Sequence, residues 1–231
     1  MSDKQRIRVW DLPTRVFHWA LVLLVVASFV SGKIGGNAMV WHGRFGLAIL
    51  GLLSFRLLWG LIGSTYARFI SFLPTPNAVI AYLRGQWRGL GHNPLGALSV
   101  FGLLGLLAFQ VSSGLFANDD IAFRGPLYAL VSSELSERLT GWHKLSVNLL
   151  VLLVLLHLAA IGFYAHAKKE NLVRPMLTGC KEAAPEYGPP ATGGGPLAFI
   201  VALAFAVATV YAGSGEWVPP PAAAPVSTPA W

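Results

Sequence analysis

Charge is what this sequence has least of. Only 12% of its 231 residues are Asp, Glu, Lys or Arg, about half the share of a water-soluble domain. With 55% hydrophobic residues, such a chain cannot clothe a water-facing surface, and the composition puts it in a lipid bilayer. A single cysteine, Cys180, excludes an internal disulfide, a Cys-ligated iron–sulfur cluster and the CxxCH attachment of a c-type haem. Asp and Glu together number 10, and none stands near an intramembrane histidine, where zinc or copper would normally draw on carboxylate or thiolate ligands. The net charge of +7 implies no nucleic-acid partner, because in a membrane chain the placement of Lys and Arg carries the information.

Long apolar runs are abundant. Five reach the roughly 20 residues that cross a bilayer, at about 14–34, 41–63, 95–117, 142–165 and 195–213. The sequence predicts an all-α transmembrane bundle, with a four-helix core at 1–180, a linker at 181–194, an added fifth helix and a Pro-rich tail at 214–231. The opening run has no small-residue cleavage site after it and is expected to be a retained span, not a signal peptide. Lys4, Arg6, Arg8 and Arg15 precede the first span, Arg68, Arg84 and Arg88 follow the second, and Lys168, Lys169, Arg174 and Lys181 follow the fourth. Fewer basic residues fall on the other side: Lys33, Arg44, Arg124, Arg138 and Lys144. The positive-inside rule then predicts a cytoplasmic N-terminus and, after five spans, a periplasmic C-terminus.

The stretch Trp142–His157 (WHKLSVNLLVLLVLLH) holds two histidines fourteen residues apart. At 100° and 1.5 Å per residue, they face nearly the same way at depths about 21 Å apart. Such a helix can give one axial ligand to each of two stacked haems. Partners at matching depths exist: His18, early in the first span, and His42, at the start of the second. The expected pairs are His18/His157 toward the cytoplasm and His42/His143 toward the outer face, each holding one haem b. Metal sites for zinc or copper and proton relays are the competing readings of intramembrane histidines. Arg44 and Lys144 flank the outer histidines, and Arg56 lies fourteen residues beyond His42, so all three are candidates to neutralise haem propionates. Ser28, Gly32 and Gly46 would leave room for a macrocycle. The third span has no histidine and is expected to support the bundle, with His92 before it as a loop or cap residue. His166, nine residues after His157, falls on the opposite side of its helix.

Four motifs in order, VWDLPTRVFHW at 9–19, WHGRFGLAILGLLSFRLLWGLIG at 41–63, GHNPLGALSV at 91–100 and the WH-x13-H helix at 142–157, resemble the bacterial cytochrome b561 and nickel–iron hydrogenase b-type cytochrome family. The resemblance covers about residues 8–180. It implies an inner-membrane dihaem cytochrome carrying electrons between the quinone pool, ubiquinone or menaquinone, and a periplasmic partner. That partner would be a c-type cytochrome or a dehydrogenase or hydrogenase subunit. A quinone near the cytoplasmic haem would meet Arg15, Trp19 and His166. A haem-bearing anchor of a larger complex and a superoxide:quinone oxidoreductase are the alternatives, while a transporter would call for broken helices and inverted repeats.

Overall fold

The computed structural model describes residues 5–121 and 123–219. Most of the Pro-rich tail, 220–231, lies outside them. The helices are α1 (Leu12–Ile34), α2 (Ala38–Ile62), α3 (Pro76–Leu83), α4 (Pro94–Leu115), α5 (Ser133–His166), α6 (Val173–Thr178) and α7 (Pro196–Ser214), with strands β1 (Gln5–Arg8) and β2 (Cys180–Ala183). Five of them, α1, α2, α4, α5 and α7, are long and apolar enough to cross a membrane. The molecule is therefore an all-helical, multi-pass membrane bundle with a small amount of extended chain at one end.

Local chemistry explains where the helices start. Asp11 accepts the Thr14 amide at 2.7 Å ahead of Pro13. Asn93 does the same for Gly96 at 2.7 Å, ahead of Pro94. In each case a side-chain oxygen satisfies an amide that the first turn leaves free, and proline adds a preset φ. Gly35 and Gly36, both at positive φ, reverse the chain between α1 and α2, a conformation open to glycine at little steric cost.

Helix α2 lies at the centre. Ile49 and Leu53 pack with Leu107 and Val111 of α4 and Leu150 of α5, while Phe55 and Trp59 pack with Ala202 and Ala206 of α7. The fifth spanning helix thus joins the bundle along α2: Gly213 abuts Leu50, and Gly51 abuts Val210. Small residues on both sides allow this close approach, as is general where lipid removes the hydrophobic drive for helix association. Leu23, Leu152, Leu155 and Ile200, all exposed, are free to meet acyl chains.

Two features depart from the sequence expectation. Helix α5 starts at Ser133, nine residues before the apolar run, because Ser132 caps the Leu135 amide and the buried Ser136 and Thr140 tie the preceding loop to the helix. The Ser136 hydroxyl donates to Phe116 O at 2.7 Å, and Thr140 Oγ1 accepts the Asn118 amide at 3.0 Å. The segment 181–194, read as a linker, is bound along its length. Its strand β2 pairs antiparallel with β1, Gln5 opposite Ala183 and Arg8 opposite Cys180. Beyond it the Ala191 amide donates to Arg8 O, and the Thr65 amide donates to Thr192 O, each at 2.8 Å. Ile7, Val9, Trp10 and Leu90 form an apolar cluster under this strap.

Candidate functional site

Helices α1 and α4 begin at the end of the bundle that carries the N-terminus, here the proximal end, and α2 and α5 begin at the distal end. His42 and His143, near the distal end, approach with ring centroids 6.0 Å apart and planes at 86°. Each ring is anchored by a neighbouring helix. His42 Nδ1 lies 2.8 Å from Ser28 O of α1, and His143 Nδ1 lies 2.9 Å from Gln110 O of α4. A carbonyl only accepts, so Nδ1 carries the hydrogen in both rings, which in a neutral imidazole leaves the lone pair on Nε2.

The same small device builds both anchors. Ser31 Oγ donates to Ala27 O at 2.8 Å and Ser28 O at 3.0 Å, and Ser113 Oγ donates to Phe109 O at 2.8 Å and Gln110 O at 3.0 Å. A glycine follows each serine, and each lies beneath an imidazole. A Cβ at Gly32 would stand 2.9 Å from His42 Nδ1, and one at Gly114 would stand 3.0 Å from His143 Cε1. Thus the hairpin α1–α2 and the hairpin α4–α5 each contribute a Ser-Gly cradle and a histidine. The second cradle, Gln110-x-x-Ser113-Gly114, lies on the helix expected only to support the bundle. Its signal in the sequence is the repeated Ser-Gly pair at 31–32 and 113–114, each on the helix before a histidine-bearing one. Of the small residues expected near the ligands, Ser28 and Gly32 touch His42, while nothing lies within 4 Å of a Cβ placed on Gly46.

The proximal pair is built differently. His18 and His157 lie within electrostatic reach of each other, but among the described residues His157 Nδ1 has only the Ser99 hydroxyl at 3.4 Å, and His18 Nδ1 is buried without a hydrogen bond. His92 joins them. Its ring sits between Trp10 and Phe72, with centroids at 4.6 and 4.5 Å. Burial, reinforced by the charges of Arg56, His157 and His18, holds the pKa of His92 down at about 3, so this loop histidine is neutral at physiological pH. Arg56 is 3% exposed, and its guanidinium lies 4.5 Å from the centre of the Phe69 ring.

Asp11 also belongs to this end. Besides capping α1, its carboxylate accepts Trp59 Nε1 at 3.0 Å and the Ser64 hydroxyl. Among the described residues, the buried side-chain polar atoms without a hydrogen bond are Thr14 Oγ1, Arg15 Nε, His18 Nδ1, Arg56 Nη1 and His92 Nδ1. All lie at the proximal end. Buried polar atoms in native proteins are nearly always satisfied, so this concentration marks a place where a polar group belongs.

The remaining candidates divide. Arg44 is exposed and stacks on Trp41, its guanidinium 4.8 Å from the ring centre. Lys144 is exposed next to His143. Arg15 donates to Leu177 O at 2.5 Å, and Trp19 Nε1 donates to Met176 O at 3.3 Å, so both are held by α6. His166 is exposed on the last turn of α5 and makes neither contact. No group of three or more His, Cys, Asp or Glu converges among the described residues as a multidentate metal site would.

Residues 9–179 match the prokaryotic cytochrome b561 family. The chain is 22% identical over 209 residues to a protein of Bradyrhizobium diazoefficiens named as a probable Ni/Fe-hydrogenase B-type cytochrome subunit, an alignment covering 75% of this chain and 85% of that protein. A protein of the same name from Azotobacter chroococcum is 22% identical over 217 residues, covering 75% and 87%. The probable Ni/Fe-hydrogenase 1 B-type cytochrome subunit of Escherichia coli K12 is 23% identical over 141 residues, covering 46% and 57%. No solved structure matches the chain. The family match takes in all four histidines and both cradles and stops short of β2 and α7; the chain belongs to the prokaryotic cytochrome b561 family, b-type cytochromes that transfer electrons in the membrane.

Proposed function

We propose that the chain holds two haem b groups, one between His42 and His143 and one between His18 and His157, and carries electrons across the bacterial inner membrane between the quinone pool and a periplasmic redox partner. The observation that carries this reading is the distal pair. The ring centroids of His42 and His143 stand 6.0 Å apart, close enough that the two imidazoles would hold one haem between them. Their Nδ1–H groups are occupied by carbonyls, the usual device for fixing a metal-binding imidazole in tautomer and orientation. The proximal end supports a second group through its unsatisfied donors: Arg56 Nη1 and His92 Nδ1 suit a carboxylate such as a propionate. At the distal end Arg44 and Lys144 would serve the same purpose.

Haem bound by two histidines takes up and releases one electron with no open iron position. The chain's own residues do the rest. Four imidazoles orient the groups, apolar helices exclude water, and α5 sets the two depths about 21 Å apart. The basic residues at the proximal end support a cytoplasmic N-terminus. On this reading quinone reacts near the proximal site, where α6 holds Arg15 and Trp19, and His166 stands at the same end of the bundle. The relatives' names, as Ni/Fe-hydrogenase subunits, support the reading of this chain as one subunit of a larger redox assembly.

A pyridine haemochrome assay with a reduced-minus-oxidised spectrum of the detergent-purified protein tests the reading. It expects about two haems b per chain, since each bis-histidine site holds one macrocycle; folded protein without haem absorbance overturns it. Stoichiometric co-purification with a soluble redox subunit would establish the anchoring role.

A further inference from the structure

The two histidine pairs differ in what surrounds them, and both differences act in one direction on an added electron. At the distal pair, both Nδ1–H groups donate to main-chain carbonyls at 2.8 and 2.9 Å. Such a bond makes the imidazole a stronger electron donor and favours the oxidised metal. The nearby cations Arg44 and Lys144 are exposed, where water and salt screen them. At the proximal pair, neither Nδ1 has a carbonyl partner among the described residues, and the buried guanidinium of Arg56 keeps Nη1 for the propionate assigned to it above. Asp11 is the carboxylate facing it, but that charge is shared among Trp59, Ser64 and the Thr14 amide, and no ion pair joins the two among the described residues. A buried cation is poorly screened, so Arg56 would offset the charge of the propionate assigned to it more fully than the exposed Arg44 and Lys144 offset that of the distal group, and this favours the state with one more electron.

Resting on the dihaem reading above, we propose that this asymmetry poises the proximal site at the higher reduction potential, with Arg56 setting that potential and the twin Ser-Gly cradles holding the distal one low. With both groups bound, the internal step would pass one electron between them, the distal iron being oxidised from ferrous to ferric as the proximal one is reduced from ferric to ferrous, with no bond broken and no proton moved. An electron that enters at the distal end settles at the proximal one.

Equilibrium redox titration of the purified holoprotein, followed by visible absorbance, tests this. Two one-electron waves are expected, separated by at least a tenfold equilibrium constant, which is about 59 mV for one electron. Arg56→Gln lowers the upper wave and leaves the lower in place, and Arg56→Lys restores it. In His42→Ala the haem that remains titrates at the upper wave. An upper wave unmoved in Arg56→Gln, or a lower-wave haem surviving in His42→Ala, overturns the proposal. Should Arg56→Gln fail to fold, the His42→Ala titration decides alone. A protein with two haems whose waves coincide or reverse refutes this ordering and leaves the dihaem reading standing; a protein without haem refutes both.

Discussion

The distal and proximal histidine pairs share α5, yet one is anchored by regular helix and the other by what lies beyond the helix ends. At the distal pair, two unbroken helices present carbonyls that already serve their own ladders, and a serine and a glycine make room for an imidazole beside them. Both carbonyl anchors lie within helices. At the proximal pair the surroundings come from Asp11 ahead of α1, the His92 loop ahead of α4, and Trp10 under the β1–β2 strap. The contrast teaches that a main-chain anchor can be repeated wherever a helix hairpin recurs. An anchor of side chains from separated segments must be assembled by the whole fold.

Removing a ligand should expose the contrast most strongly. His143→Ala and His157→Ala are each expected to lower haem content by about half, as loss of one of two bis-histidine sites requires, checked by pyridine haemochrome. Both haems surviving in either variant would break the pairing. Next in size come the cradles. Gly32→Ala and Gly114→Ala force a methyl to about 3 Å from an imidazole and should reduce occupancy of the distal site alone.

The proximal end answers to Asp11. Replacing it with Asn weakens acceptors for Trp59, Ser64 and the first turn of α1 at a cost of about 1–3 kcal/mol. The expected result is a lower thermal midpoint in detergent while the distal haem keeps its spectrum. The smallest effect is one of pH. His92 has a folded pKa of about 3 against an ordinary 6.5, so below pH 6.5 the unfolded chain takes up a proton that the folded one refuses. The stability from neutral His92 is complete above 6.5 and lost progressively as pH falls toward 3. Thermal midpoints of the wild type should therefore fall more steeply over that window than those of His92→Gln.

Much of this was legible in the chain. Apolar runs separated by polar segments dictate five helices, because an unpaired backbone amide in hydrocarbon costs too much for any other spanning form except a closed barrel. The fourteen-residue interval between His143 and His157 dictates their shared direction through helix geometry alone. The sequence could also count its basic residues and its single cysteine.

Other features needed the tertiary structure. That α4 anchors His143 through Gln110 O, that α7 lies along α2, that residues 181–194 strap the proximal end, and that His92 is packed between Trp10 and Phe72 all depend on contacts between segments far apart in sequence. Periodicity reports which face of a helix is apolar, and hydropathy reports which segments leave water. Neither carries information about which helix presents a carbonyl to which imidazole, because that is settled by how closely two backbones approach, and the approach is decided by glycines and serines whose partners lie on other helices.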